Sequence, residues 1–201
     1  MENGKITDSW VFKIIFITVA FYVFQLLTTK YLVNDPFLIS ISSQLKNIPI
    51  MTYFGAMRPA LVIEKLYIWQ FVSYMFLHDT GGFFHIFFNM YALLICGVPI
   101  EQLWGTRRFL FYYFFTGIGA GLCIFLMNYF TGKTGVATLG ASGAVFGVLL
   151  AFGVLFPDVE FLVFFILPMK AKYFVILYGI IELVLTVKGG GNISHIGHVG
   201  G

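Results

Sequence analysis

Long apolar runs separated by short polar segments are the dominant pattern along this chain. The hydrocarbon core of a bilayer is about 30 Å thick, so a spanning helix needs about 20 mostly apolar residues. On this measure five runs predict membrane-spanning helices, at Trp10 to Thr28, Phe83 to Trp104, Phe109 to Phe130, Ser142 to Phe156 and Tyr173 to Val187. A sixth apolar run begins at Ile193 and has nine residues up to Gly201, which predicts an incomplete sixth helix.

The segment 29–82 differs from these runs, because it mixes apolar patches with most of the scattered charges and contains Pro36, Pro49 and Pro59. We interpret it as a long ordered outer loop with amphipathic pieces that dip into the membrane interface. The stretch "FLVFFILPMKAK" is too short to span the membrane and is interrupted by Pro168. The pattern as a whole predicts one all-α polytopic membrane domain over residues 1–201, with a short N-terminal segment at 1–9.

Composition supports a membrane protein, since 59% of the residues are hydrophobic and only 10% are charged, whereas about a quarter are charged in soluble proteins. The net charge of +3 is small and scattered, which argues against a nucleic-acid partner. Both cysteines lie inside apolar runs, so no disulfide framework is expected.

The orientation in the membrane can be predicted from charge, because basic residues in short loops favour the cytoplasmic side. Lys5, Arg107, Arg108, Lys170 and Lys172 therefore predict a cytoplasmic N-terminus, and we expect a bacterial cytoplasmic membrane.

Polar side chains within the apolar runs are the candidates for chemistry, because polar groups in hydrocarbon are costly and usually face the protein interior. The runs that contain them all pass from the outer side inward, and each polar residue comes early in its run. Similar depth on three helices predicts a single site near the outer membrane face. The candidates are His85, Asn89, Ser142, His195 and His198.

Ser142 lies in "GASGAVFG" and allows two interpretations. Gly143 and Gly147 have the small-xxx-small spacing that lets membrane helices pack closely. Alternatively, Gly140 and Gly143 free the backbone around a nucleophilic serine at a helix start, where unpaired N–H groups can bind an oxyanion.

Histidine can serve as the base that a serine nucleophile requires. His198 has glycine neighbours that let another helix approach, although a structural hydrogen bond is the alternative. His195 lies one turn earlier, as support or as the outer wall of the site. The two histidines lack a carboxylate or cysteine in the same segment, so a metal site is the weaker interpretation.

His85 and Asn89 are four residues apart and share one helix face. They could act together as hydrogen-bond donors to an oxyanion, or they could form a polar clamp between helices.

The motifs "HIFFN", "GASGAVFG" and "HVGG", in this order, resemble the rhomboid intramembrane serine proteases. The resemblance extends from about Trp69 to the end and includes "WQFVSYMFLH" and "EQLWGTRRFLFYYFFTGIGAGL". It implies a six-helix bundle with Ser142 as nucleophile, His198 as base and the pair His85 and Asn89 stabilising the oxyanion. Phe146 takes a position where an aromatic ring often packs on the catalytic histidine and where tyrosine is frequent.

The resemblance implies transmembrane protein substrates within the lipid bilayer, cleaved near the outer face, and neither a metal nor another cofactor. The family's last helix continues well past the histidine, whereas this sequence stops at Gly201, so we expect activity from the full-length protein and not from these 201 residues. The main alternative is an inactive rhomboid-like protein that binds membrane clients. Neither a His-Glu-x-x-His motif, nor aspartates within the spans, nor transporter-like repeats are found in the sequence.

Overall fold

A computed structural model describes residues 9–163 and 167–187 of the chain. Within these described ranges, five helices are apolar and at least ten residues long, and the remaining elements are short. In chain order the elements are α1 (Trp10–Thr28), β1 (Leu32–Val33), α2 (Pro36–Ile41), β2 (Ile48–Pro49), α3 (Ile50–Gly55), α4 (Pro59–Lys65), α5 (Gln70–Ser73), a 3₁₀ turn (Tyr74–Phe76), α6 (Phe83–Trp104), α7 (Thr106–Phe130), α8 (Ser142–Leu155), β3 (Glu160–Val163), β4 (Leu167–Lys170) and α9 (Ala171–Val187).

The helical bundle agrees with the apolar runs of the sequence. In the described part, α1, α6 and α7 are long and apolar enough to cross a membrane, whereas α8 and α9 are shorter apolar helices. The predicted polytopic helical fold is confirmed. His195 and His198, with the predicted sixth helix, lie outside the described residues.

The junction of α6 and α7 is tighter than the sequence predicts. We expected the third span to begin at Phe109, but α7 already begins at Thr106. Gly105 alone separates the two helices, with a φ of 81° that glycine tolerates best, and its N–H donates to the carbonyl of Glu101 at 2.8 Å. A single residue therefore reverses the chain, and the arginines belong to the first turn of α7.

Helix α8 is the centre of the bundle and packs against α6, α7 and α9. Nine of its 14 residues are buried, many of them small. Residues 29–82, which we call the outer segment, also contact the bundle. The Tyr74 hydroxyl donates to the carbonyl of Gly117 on α7 at 2.6 Å. A Cβ added at Gly117 would overlap Cε and Sδ of Met75, so a larger residue there would require the end of the Met75 side chain to move.

The segment 29–82 is folded around a small core of its own. Its short helices surround the antiparallel pair β1–β2, in which Val33 pairs with Ile48. Five buried residues form the core beneath them: Leu38, Ile48, Tyr53, Ala60 and Leu61. The short helices therefore have a fixed arrangement that can hold other parts of the chain.

The expectation of helices alone needs one correction, because the apolar stretch after α8 forms strands. β3 and β4 pair in antiparallel register, with Glu160 opposite Lys170 and Leu162 opposite Pro168. Proline cannot donate a ladder hydrogen bond, but a two-stranded ladder leaves each strand with a free edge where it is tolerated. The described part of the chain is thus mainly helical, with two small β ladders.

Glu101, in the last turn of α6, holds the beginning of α1. Its carboxylate accepts from the backbone N–H groups of Trp10 at 3.0 Å and Val11 at 3.2 Å, and from the hydroxyls of Ser9 and Thr106. A negative charge is favourable at a helix N-terminus, and here it also joins α1, α6 and α7. The start of α1 and the end of α6 therefore lie on the same side of the bundle.

Replacing Glu101 with glutamine is expected to lower the free energy of unfolding by about 2 kcal/mol, because buried donors lose a charged acceptor. Unfolding monitored in detergent measures this change. Gln102→Ala, at the exposed neighbouring position, is the control and should change stability by less than about 0.5 kcal/mol. Equal effects of the two substitutions would contradict this role for Glu101.

Asp35 organises the outer segment. Its carboxylate caps α2 by accepting from the N–H groups of Phe37 at 2.9 Å and Leu38 at 3.1 Å, and it also accepts from the Tyr53 hydroxyl at 2.5 Å and from the Lys65 ammonium. Burial by itself would raise the pKa of Asp35, but the hydrogen bonds from Lys65 and Tyr53 outweigh it and lower the pKa to about 2.

A lowered pKa in the folded state means that ionised Asp35 stabilises the outer segment above the pKa of the unfolded chain, near 3.8. This contribution, on the order of 1–2 kcal/mol, should be lost as the pH falls from about 4 to about 2. Unfolding measured across that range should show the loss in the natural protein and not in Asp35→Asn. Glu64→Gln, at an exposed position on α4, is the matched control at neutral pH. An unchanged pH profile in Asp35→Asn would refute the assignment.

Candidate active site

Ser142 is the first residue of α8, as the sequence predicts. The preceding Gly140 has a φ of 130°, which a residue with a Cβ rarely adopts, and this bend turns the chain into the helix. Within the described residues no side chain caps the helix. The 14 residues of α8 span about 21 Å at 1.5 Å per residue, which is less than the thickness of a bilayer core. If α8 ends at the inner boundary of the bilayer core, Ser142 lies within the core, below its outer boundary.

The outer segment holds the non-helical chain between α7 and α8. Met57 and Thr138 exchange backbone hydrogen bonds of 2.9 Å and 2.8 Å, and the N–H of Gly140 donates to the carbonyl of Tyr74 at 2.9 Å. The guanidinium of Arg58 donates to the carbonyl of Gly135. Irregular backbone at membrane depth requires such internal partners. The outer segment therefore fixes the path that leads to Ser142.

A cavity of about 830 Å³ lies between α6, α8 and α9. It brings together six of the eight residues that the sequence singles out, and most of its remaining lining is apolar. The six are His85, Asn89, Gly140, Ser142, Gly143 and Phe146. The other two, His195 and His198, lie outside the described residues.

His85 and Ser142 flank the same glycine. A Cβ built at Gly140 would lie 3.1 Å from Cε1 and 3.2 Å from Nε2 of His85, and 3.8 Å from Oγ of Ser142. The absence of a side chain at Gly140 thus lets the imidazole lie close to the backbone that leads to the serine. A group bound beside Ser142 would meet the His85 ring.

Asn89 lies one turn below His85 on the same face of α6 and is 7% exposed. Its Nδ2 donates to the carbonyl of His85 at 2.8 Å. A side-chain amide has two N–H groups, so this bond leaves the second N–H for another acceptor. The bond within the helix fixes the amide at the cavity wall.

The aromatic ring of Phe146 contacts Tyr178 of α9, with ring centroids 5.3 Å apart. The contact joins the helix that begins with Ser142 to the opposite wall of the cavity. Packing of Phe146 on His198 stays a prediction, because His198 lies outside the described residues.

His78 lies beside the candidate site, and the sequence analysis did not single it out. Its side chain is fully buried, its ring centroid is 5.1 Å from that of His85, and its Nε2 accepts from the N–H of Ala141 at 3.5 Å. Burial, and secondarily the nearby His85, lower the pKa of His78 to about 3, so the ring is neutral. His78 lies between the apolar runs, where a polar side chain is common and does not by itself indicate a site. The signal that could have found it is its place in "WQFVSYMFLH", a stretch that shares the family resemblance.

Several known proteins are similar to this chain in sequence. The family model described as the Rhomboid domain matches residues 65–201. Rhomboid protease GluP of Bacillus subtilis is 29% identical over 171 residues, covering 82% of this chain and 30% of that protein. RHOMBOID-like protein 1 of Arabidopsis thaliana is 35% identical over 95 residues, covering 47% of this chain and 23% of that protein.

Another relative is named as an inactive protein. Inactive RHOMBOID-like protein 8 of Arabidopsis thaliana is 30% identical over 101 residues, covering 49% of this chain and 28% of that protein. The chain thus spans about a quarter to a third of the length of these three relatives. Similarity alone does not separate a protease from an inactive homologue.

Proposed function

Because this chain belongs to the rhomboid family, we propose that it is an intramembrane serine endopeptidase in which Ser142 is the nucleophile and His198 the general base. The observation that carries the proposal is the position of Ser142 at a helix start that no described side chain caps, across Gly140 from His85 and inside a mostly apolar cavity. Relatives named as proteases support the general activity.

In the proposed reaction, His198 takes the proton of the Ser142 hydroxyl as Oγ attacks the carbonyl carbon of the scissile peptide bond. The carbonyl oxygen becomes an oxyanion, which Asn89 Nδ2, His85 and the first N–H groups of α8 stabilise. The C–N bond then breaks, and His198 gives its proton to the leaving amine. Water attacks the acyl-enzyme with His198 again as base, which releases the carboxylate product and restores Ser142.

The proposed substrates are single-span membrane proteins cut near the outer membrane face, after a small residue. A peptide bond within a helix is shielded by the helix itself, so the client must unwind locally to reach Ser142. Glycine in the outer half of the client lowers that cost, by about 1 kcal/mol per residue relative to alanine.

A client series with these glycines changed to leucine is therefore expected to be cleaved progressively more slowly. The measurement is the initial cleavage rate of each client in reconstituted vesicles. The control moves the same substitutions to the inner half of the client, which should leave the rate unchanged. Equal rates across the outer series would show that unwinding does not limit cleavage.

The experiment that tests the proposed activity uses the full-length protein, reconstituted with a single-span client labelled at both ends. Mass spectrometry of the fragments should place the cut within the outer half of the client span. A client that is bound but remains intact would support the alternative of an inactive client-binding protein, in line with the name of one relative. A cut in the soluble part of the client would refute the proposed site.

We also propose that the N-terminus faces the cytoplasm of a bacterial cell. Arg107 and Arg108 are exposed at the end of the bundle where α1 begins, Lys170 ends β4, and Lys172 lies in the first turn of α9. Basic residues of short loops favour the cytoplasmic side. This orientation places Ser142 near the outer face.

A further inference from the structure

The backbone of His78 is tied to α1 by one side chain. His78 N–H donates to Oε1 of Gln25 at 3.0 Å, and Nε2 of Gln25 donates to the carbonyl of His78 at 3.1 Å. Gln25 is 3% exposed, within an otherwise mostly apolar helix. A buried amide in such a helix is costly unless it is hydrogen-bonded, and here both of its polar atoms bind the backbone of one residue. His78 is thereby fixed relative to α1.

The imidazole of His78 faces the start of α8. Its Nε2 is the acceptor for the N–H of Ala141, the residue that precedes Ser142, over a long hydrogen bond of 3.5 Å. An accepting Nε2 carries no proton, so the proton of the neutral ring is on Nδ1. Nδ1 makes no hydrogen bond of normal geometry with the described residues, although the Phe76 backbone is close enough to favour the protonated ring weakly. The tautomer therefore follows from the Ala141 contact.

The same ring packs on His85. The two imidazoles meet edge to face, with an angle of 60° between their planes. Because the His85 ring lies against Gly140 on one side and His78 on another, its orientation is restricted from both directions. His78 contacts a neighbour of the serine and a proposed oxyanion donor at once.

We propose that His78 is a positioning residue of the active site, which fixes the Ala141 amide and the His85 ring and is itself held in place by Gln25 of α1. This inference rests on the proposed protease function. It gives α1, which contributes no side chain to the described cavity lining, a connection to the site through Gln25 and His78.

Four single variants of the full-length protein, and the double variant of Gln25→Met with His78→Phe, test the proposal by kinetics. His78→Phe keeps a flat ring but cannot accept from Ala141, His78→Gln keeps an acceptor, and Gln25→Met keeps the length of the side chain without its hydrogen bonds. Thr18→Val, at a buried position of α1 whose hydroxyl bonds within the helix, is the matched control.

His78→Phe and Gln25→Met are each expected to lower kcat by roughly 10- to 100-fold with little change in KM, since misplaced groups slow the chemical step. His78→Gln should recover part of the loss, and the double variant should be no slower than His78→Phe because both act through one contact. Thr18→Val should retain kcat. Loss of stability with unchanged kcat, or a glutamine variant no better than phenylalanine, would overturn the proposal.

A spectroscopic measurement tests positioning without reference to proteolysis. In protein labelled with ¹⁵N in the histidine rings, the signals of His78 should show a proton on Nδ1 and none on Nε2. The His85 signals should shift in His78→Phe and stay in place in Thr18→Val. If these shifts occur in a protein that cleaves no client, the proposed function fails while the positioning contact stands. Unchanged His85 signals in His78→Phe would overturn the positioning role whatever the activity.

Discussion

Ser142→Ala is expected to abolish client cleavage, with a loss of at least about 10⁴-fold in kcat, because the residual machinery has no nucleophile. The fold should be retained. Ser142 is half-buried, alanine is tolerated in a first helical turn, and no capping bond to a described residue is lost. Thermal unfolding in detergent should therefore agree with that of the natural protein.

Ser73→Ala is the matched control for this substitution. The Ser73 hydroxyl donates to the carbonyl of Gly55 in the outer segment, at 2.8 Å, and lies outside the cavity lining. Its removal should affect stability modestly and leave cleavage intact. Continued cleavage by a folded Ser142→Ala protein would show that the nucleophile has been wrongly assigned.

His198→Ala is expected to produce a comparable loss, since an unactivated serine is a poor nucleophile. Nucleophile and base act as a unit, so the double variant should be about as inactive as either single variant. The measurement is the kcat of all three proteins on one client. A multiplicative loss in the double variant would indicate that the two residues act separately.

Asn89→Ala is expected to lower kcat on the order of 100-fold with little change in KM, because an oxyanion donor acts in the transition state and not on bound substrate. His85→Ala should behave in the same way. The amide of Asn89 is held against the cavity wall by its bond to the His85 carbonyl, so its second N–H needs little reorganisation to meet an oxyanion. Steady-state kinetics over a range of client concentrations separates the two parameters.

A polar clamp between helices is the competing interpretation of this pair. It predicts a loss of about 1 kcal/mol in stability with kcat retained. Asn34→Ala is the control, since the Asn34 side chain donates to that of Asn47 at the exposed surface of the outer segment and is not part of the described cavity lining. An Asn89→Ala protein with raised KM and unchanged kcat would assign Asn89 to substrate binding or structure.

The sequence could predict the long helices because hydrocarbon imposes a length and a composition on every crossing. The first predicted span and α1 have the same ends, Trp10 and Thr28. The start of α7 was placed three residues late because charged residues usually mark a loop. Here Arg107 and Arg108 are exposed on the first turn of the helix.

The hairpin β3–β4 could not be predicted, because a short apolar run has no periodicity that separates a strand from a buried helical turn. Its pairing depends on a register that places Phe161 opposite Met169, which is set by the folded backbone and not by local sequence. The grouping of His85, Asn89 and Ser142 at one cavity was predictable, since membrane topology alone gives side chains a common depth. The proposed role of His78 was not predictable, because the backbone of His78 is held by Gln25, which is distant in the sequence.

Labelling with a serine-reactive fluorophosphonate tests the central claim most directly. The full-length protein, Ser142→Ala, His198→Ala and Ser73→Ala are treated in detergent, and the modified peptide is identified by mass spectrometry. The account predicts one adduct on Ser142, its absence in Ser142→Ala, slow formation in His198→Ala and normal formation in Ser73→Ala. An adduct on another residue, or cleavage of a client by a protein whose Ser142 is never labelled, would contradict it.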